Sequence, residues 1–247
     1  RAGHTEASID LSDDPELMSL MSRAGFGRVF VGIESPNEDS LKECKKVQNR
    51  KRNLLESIHI LQRHGIQVQA GFILGFDSDP PSIFDRMGKF IQESGVVSAM
   101  VGLLNAPVGT KLHSRLLSEG RILGDIQGNN TSTCINFVPR MDLSALQKGY
   151  QRLLKNIYAP RQYYARVRSF LKEYRLPARV PKSLSWADIS ALGKSMAVLG
   201  IVGRERFHYW RLFFWSLVTR PRLFPLAITC AIYGFHYRKI AERICAQ

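Results

Sequence analysis

Residues 53–77 read NLLESIHILQRHGIQVQAGFILGFD, and the first half of the chain is built from units of this kind. Leu54, Leu55, Ile58 and Leu61 recur at helical spacing behind Asn53, whose side-chain oxygen suits a helix N-cap. Gly65 ends the helix, because a left-handed stop costs glycine no Cβ clash. Ile66–Leu74 then reads as a buried strand closing on Gly75-Phe76-Asp77.

The same round of helix, glycine and strand recurs on both sides. Upstream, Asp14 caps a helix that has Pro15 in its first turn. Leu17, Leu20, Met21 and Ala24 line one face, Gly25 stops it, and Arg28–Ile33 follows as a strand. Downstream, Ser82–Ser94 carries Ile83, Met87, Phe90 and Ile91, then Gly95, then a strand over Val96–Leu104. A first strand is expected over Thr5–Leu11. Four strands alternating with amphipathic helices require parallel pairing through right-handed crossovers. The expected fold is α/β, comprising half or more of a βα barrel of the TIM type; an open doubly wound sheet is the alternative.

Beyond residue 120 the pattern breaks. Gly124–Arg140 is rich in loop residues, Asp142–Tyr158 and Arg161–Tyr174 read as helices, and Leu176–Ser185 reads as a linker. Trp186–Gln247 is helical, basic and aromatic. Its apolar run Leu212–Phe235 is broken by Thr219-Arg220-Pro221-Arg222 and by Pro225, which leaves no uninterrupted membrane span. The expected organisation is residues 1–120 as a barrel portion, 121–180 as a loop-rich and helical extension, and 181–247 as a basic aromatic tail.

Charge follows this division. The chain carries a formal net charge of +14, but residues 161–247 hold 16 Lys/Arg against 4 Asp/Glu. A nearly balanced, enzyme-like region is thus joined to a tail suited to anionic lipid, an acidic surface or nucleic acid. No base-reading or stacking module accompanies the charge, so nucleic acid is the least expected partner. Aromatic, arginine-rich helices suit a membrane interface, and equally a cap that buries its aromatics against the barrel. Cys44, Cys134, Cys230 and Cys245 form neither a disulfide framework nor a metal-ligand spacing, which points to a reducing, cytoplasmic setting with peripheral placement on the inner membrane surface as its variant. The chain starts at Arg1 without a leader pattern and is expected to be a fragment of a longer protein.

In parallel α/β folds ligands gather at the carboxyl ends of the strands. Those ends carry Glu6, then Gly32-Ile33-Glu34-Ser35-Pro36, then Gly71 to Asp77, then Leu104-Asn105-Ala106-Pro107-Val108-Gly109-Thr110. Glycines there let a ligand approach backbone, and a carboxylate such as Glu34 can accept hydrogen bonds from a ribose diol. No two histidines among His59, His64, His113, His208 and His236 lie at a metal spacing, so solvent-facing or capping roles are expected and no metal ligands are assigned. Asn129 and Asn130 fit glycosylation sequons that a cytoplasmic protein leaves unused.

The order GIESP, GFILGFDSD, LNAPVGTKL resembles the second half of a radical S-adenosylmethionine (SAM) barrel. With TEASIDLSDDPELMSLM, ECKKVQN, GNNT…NFVPRMD and the tail's RLFFWSL…TRPR…FPLAI, it resembles the cobalamin-binding subgroup of that family over nearly all 247 residues. The resemblance implies the last four or so strands of a radical SAM barrel and, in the intact parent, SAM, a [4Fe–4S] cluster and cobalamin as cofactors. It places Glu34 by the SAM ribose, Gly71, Ile73 and Gly75 along adenine and methionine, Leu104 and Asn105 against adenine, and Glu6 and Asp77 at the cavity wall.

The cluster-binding CxxxCxxC and the cobalamin domain are expected on segments outside this chain, so the chain alone is expected to be inactive. The implied activity is radical methyl transfer to an unactivated carbon of a small molecule or lipid. The Asn129–Arg140 loop is expected to close over substrate, with Arg140 or Tyr150 reaching it. Two other readings stay open at this point: a membrane-associating or scaffold module with a decayed half-barrel, and a barrel lyase or isomerase with Glu6 and Glu34 as acid and base.

Overall fold

The computed structural model describes residues 3–124, 135–176 and 186–246. Four strands, β1 (Gly3–Glu6), β2 (Phe26–Glu34), β3 (Gln67–Leu74) and β4 (Ser98–Leu103), pair in parallel in the order β1-β2-β3-β4. Helices α1 (Pro15–Ala24), α2 (Glu38–Glu43), α3 (Leu54–Arg63) and α4 (Ile83–Ser94) lie between them. Sequential strands as spatial neighbours describe an arc of a barrel; a doubly wound sheet would reverse direction at an inner strand. The chain is therefore a partial α/β barrel continued by helices.

Local chemistry explains the helix boundaries. The Asp14 carboxylate accepts from Leu17 N–H at 2.8 Å, and the Asn53 amide oxygen accepts from Glu56 N–H at 3.2 Å. Gly25 and Gly95 take left-handed φ values of 93° and 68°. The first strand is shorter than its apolar pattern suggests. β1 ends at Glu6, and Ile9–Asp13 turns into a 3-10 helix that buries Ile9 and Leu11 against the core. Arg52 holds the turn in place, donating to Asp13 at 2.7 and 2.5 Å.

The sheet has two unlike faces, set by the two-residue period of a strand. Val29, Val31 and Ile33 of β2, Val68, Ala70, Phe72 and Leu74 of β3, and Ala99, Val101 and Leu103 of β4 are buried in the core. The opposite face presents Glu6, Phe30, Gly32, Glu34, Gln69, Gly71, Ile73, Met100 and Gly102, all partly or fully exposed.

After β4, α5 (Lys111–Ser118) leads to α6 (Leu143–Ile157) and α7 (Pro160–Glu173). Asp142 caps α6 by accepting from Ala145 N–H at 2.8 Å. α6 seals the edge strand: the Tyr150 and Tyr158 hydroxyls donate to the Val101 and Ala99 carbonyls of β4 at 3.1 and 2.6 Å. The linker expected over 176–185 falls, except for Leu176, outside the described residues.

The tail folds as α8 (Trp186–Ser195), a π-helical turn (Met196–Val202), α9 (Arg206–Thr219), a 3-10 turn (Pro221–Leu223) and α10 (Phe224–Ile244). The break expected at residues 219–222 does separate α9 from α10, whereas Pro225 sits in the first turn of α10 and does not interrupt it. No described helix is long and apolar enough to cross a membrane. α10 runs beneath the amino ends of the strands. Arg28 of β2 donates to the Tyr233 hydroxyl at 3.3 Å, and the Tyr237 hydroxyl donates to Ser98 Oγ at 3.1 Å. Part of the tail thus buries its aromatics as a cap against the barrel portion.

Candidate functional site

The carboxyl ends of β2, β3 and β4 lie opposite the helical cap. β2 finishes in a sculpted turn. Glu34 takes a φ of 66°, a left-handed conformation rare for a side chain with a Cβ. Ser35 N–H donates back to the Ile33 carbonyl at 2.9 Å, and the β2–β3 register shifts between Gly32 and Glu34. The buried Asn49 side chain, carried by a 3-10 turn over Val47–Asn49, donates to the Gly32 and Ile33 carbonyls at 3.0 and 2.9 Å. The loop is tied so that the inversion at Glu34 persists.

The inversion places the Glu34 carboxylate over Gly32. Lys46 Nζ donates to it at 2.9 Å, and both side chains are largely buried. A Cβ at residue 32 would collide with this carboxylate and lie 2.9 Å from Lys46 Nζ. Glycine at 32 is what lets the ion pair lie on the sheet. Gly71 pairs beside Gly32, but the Phe30 ring covers it: a Cβ there would lie 2.9 Å from Phe30 Cζ. Ile73 and Gly102, paired in register on β3 and β4, continue the same face.

The loop after β3 is held by its two aspartates. Asp79 Oδ2 accepts from Gly75 and Phe76 N–H at 2.9 and 3.2 Å, and its Oδ1 accepts from Ser40 Oγ at 2.7 Å. Burial pushes this carboxyl above the ordinary range, with the hydrogen bonds opposing. Asp77 is engaged by three arginines. Arg121 is bidentate at 2.6 and 2.9 Å, Arg115 Nη1 lies at 2.9 Å, and Arg140 Nε lies at 3.8 Å. The Arg121 guanidinium, foremost, holds the Asp77 carboxyl below its usual value. Asp77 therefore fastens Arg115 of α5, Arg121 and Arg140 to the β3 loop, and its oxygens are occupied by this chain's own donors.

Leu104 extends β4, its N–H donating to the Leu74 carbonyl at 2.7 Å. Asn105 Oδ1 accepts from Asn136 N–H at 3.2 Å, and the Asn136 side chain pairs with both the N–H and the carbonyl of Ala106 at 2.8 Å. The NFVPR segment is thereby pinned across the mouth of β4. Residues 125–134, with Asn129, Asn130 and Cys134, lie outside the described residues. Tyr150 does not reach toward this mouth: its side chain is buried, its hydroxyl bonds β4, and burial pushes its pKa up to about 12. Arg140 reaches only the rim of the Asp77 cluster. His59 and His64 lie against the Glu93 and Ile60 carbonyls at 3.2 and 2.9 Å, which suits the capping role expected of them.

Glu6 stands apart from this cluster. It lines a groove of about 530 Å³ formed by β1, the 3-10 turn and α1. Glu6 pairs in register with Phe30, two residues before the Gly32 over which the Glu34 carboxylate lies.

A carboxylate inverted onto the open face beside a glycine-containing strand suits recognition of vicinal hydroxyls. The described cysteines do not fit an iron–sulfur cluster. They stand on separate elements, Cys230 is fully buried with its thiol pushed up to about 12 by burial, and burial also raises Cys44. Among the described residues no three His, Cys, Asp or Glu side chains gather to hold a metal ion. Lys46, Asn49, Asp79, Arg121 and Asn136 were not singled out by the sequence. Lys46 and Asn49 lie in the ECKKVQN segment, Asp79 in GFILGFDSD and Asn136 in NFVPRMD; nothing local marked Arg121.

A family model described as a domain of unknown function, DUF4070, matches residues 110–247. The chain is 34% identical over 249 residues to an uncharacterized methyltransferase of Synechocystis sp., covering 97% of the chain and 45% of that relative. It is 29% identical over 221 residues to the hopanoid C-2 methylase of Rhodopseudomonas palustris, covering 83% of the chain and 40% of the relative. It is 33% identical over 103 residues to the bacteriochlorophyllide d C-12(1)-methyltransferase of Chlorobaculum tepidum, covering 42% and 23%. The chain thus spans less than half the length of each of these relatives.

Proposed function

The chain belongs to the DUF4070 family, consistent with the C-terminal region of cobalamin-binding radical SAM proteins, and from that membership we propose that it forms the SAM-facing wall of a methyltransferase. The enzyme type rests on relatives named as methyltransferases. The finer assignment rests on one observation above all: Glu34, turned by its left-handed backbone onto the open sheet face and steadied by Lys46.

In this proposal Glu34 accepts hydrogen bonds from the ribose hydroxyls of SAM, and Lys46 keeps the carboxylate aimed. The backbone of Gly71, Ile73 and Gly75 lines the methionine and adenine portions, and Leu104 and Asn105 border adenine. Asp77, by gathering Arg115, Arg121 and Arg140, keeps residues 135–140 over the mouth and limits water there. SAM held against a [4Fe–4S] cluster would supply a carbon radical by reductive cleavage, with cobalamin carrying the methyl group to an unactivated carbon. The cluster ligands and the cobalamin site belong in this scheme to other segments of a longer protein, so the 247-residue chain by itself turns nothing over. The substrate class is a small molecule or lipid, and the setting is cytoplasmic.

The test uses a longer protein that contains this chain. Reconstituted with iron and sulfide and then reduced, it should convert SAM to 5′-deoxyadenosine. Glu34→Gln should weaken SAM binding roughly tenfold, the loss of one charge-assisted hydrogen bond. Absence of SAM binding by the reconstituted protein, or undiminished binding by Glu34→Gln, removes the assignment.

A further inference from the structure

The second half of the tail is not a simple cap. α9 buries Tyr209, Leu212 and Ser216, yet its outer face is also apolar. Phe207, Arg211, Phe214 and Val218 follow one another at helical spacing on that face, with Phe207 75% and Val218 78% exposed. Before α9, at the tip that joins it to the π-helical turn, Ile201 and Val202 stand 67% and 82% exposed.

This exposure is built rather than incidental. Trp210 Nε1 donates to the Gly200 carbonyl at 2.9 Å, and its ring packs against Gly200 so closely that a Cβ there would lie 3.1 Å away. The same ring stacks on Phe214 at 5.6 Å, joining the tip to the outer stripe. Glu205, buried at the foot of α9, is held bidentate by Arg238 of α10 at 2.5 and 3.0 Å. The hairpin is thus anchored from behind while its tip points apolar groups into water. Soluble surfaces rarely gather large apolar side chains this way without a partner.

Charge identifies the partner. Residues 195–223 contain five arginines, Arg204, Arg206, Arg211, Arg220 and Arg222, all exposed, and a single acid, Glu205, which is neutralised internally. Arginines rimming aromatic and aliphatic side chains match an interface with phosphate headgroups outside and acyl chains within. A protein partner would have to offer both an apolar groove and a matching ring of acids. We infer that the α9 hairpin docks on an anionic lipid bilayer, inserting Ile201, Val202 and Phe207 with the five arginines at the headgroups. This inference is independent of the methyltransferase proposal.

Vesicle flotation of the 247-residue chain tests it. Phosphatidylcholine vesicles containing phosphatidylglycerol should carry the chain, and pure phosphatidylcholine vesicles should not. Val202→Asp with Phe207→Asp should lower the bound fraction roughly tenfold, and Arg211→Glu roughly fivefold. Leu20→Asp, at an exposed apolar position on α1, should leave binding intact. All these sites are exposed, so unchanged thermal midpoints will show that the variants fold. The inference fails if anionic vesicles do not retain the chain, or if retention survives the tip substitutions and is abolished by salt alone. It fails equally if sedimentation shows a dimer that the tip substitutions dissociate, since the stripe would then face a second copy.

Discussion

Asp77 in the loop after β3 is met by three arginines, whereas Arg166 in α7 meets no carboxylate among the described residues. Arg166 is fully buried, donates to Gln92 Oε1 at 3.3 Å, and lies 5.8 and 5.3 Å from the ring centroids of Tyr158 and Tyr163. Its Nε and Nη2 have no hydrogen-bond partner, and burial pulls its pKa down. Carboxylate–guanidinium pairs are directional, so the Asp77 cluster fixes where Arg115, Arg121 and Arg140 lie. A guanidinium against aromatic faces is held cohesively and tolerates sliding. The Asp77 cluster uses charge to set geometry; Arg166 uses it to fill a joint between helices.

Substitutions can break this contrast. The largest effect is expected at Gly234 of α10, where a Cβ would run into the buried Tyr163 ring. Gly234→Ala should destabilise the chain by about 3 kcal/mol in urea denaturation and open the tail to limited proteolysis first. Asp77→Ala should cost about 2 kcal/mol, because two arginines lose a nearly buried partner. Gly32→Ala should cost about 1 kcal/mol and displace Glu34, seen as weaker SAM binding in the longer protein. Arg166→Met should change stability by less than about 1 kcal/mol, since an unpaired buried charge is replaced by an apolar chain of similar length. A loss at Arg166 larger than that at Asp77 would erase the distinction.

Acidity offers a finer probe. The Asp77 carboxyl is held below its unfolded value, so its contribution is complete above that value and is lost as pH falls through the folded one. Thermal midpoints should therefore drop as pH falls below about 4, and less steeply for Asp77→Asn. Asp79 has the opposite sign: its raised folded value favours the fold in acid and partly offsets the loss. An equally steep drop in Asp77→Asn would assign the acid sensitivity to other carboxylates.

The rounds of helix, glycine and strand were legible because caps and stops act locally. Asp14, Asn53, Gly25 and Gly95 all do what their side chains suit them to do. The short α2 and α5 were not legible, since six or eight residues give periodicity too little room. β1 was overextended because Ile9 and Leu11 are apolar in either geometry, and only the core decides that they enter it through a 3-10 turn. At the mouth, the strand-end residues were legible as positions, but their partners were not. Lys46 and Asn49 return to β2 from 12 or more residues away, and the arginines reach Asp77 from 38 to 63 residues on. For α9, helicity could be read but not the buried face, because apolar residues occur all round it.

The hydroxyls of Tyr150 and Tyr158 have a wider consequence. By occupying carbonyls of β4 they stopper one border of the sheet with side chains, while β1 has a strand neighbour only on its β2 side among the described residues. Side chains thus do at the β4 border what a neighbouring strand does inside the sheet, whereas the outer backbone of β1 has no such cover from a strand among the described residues.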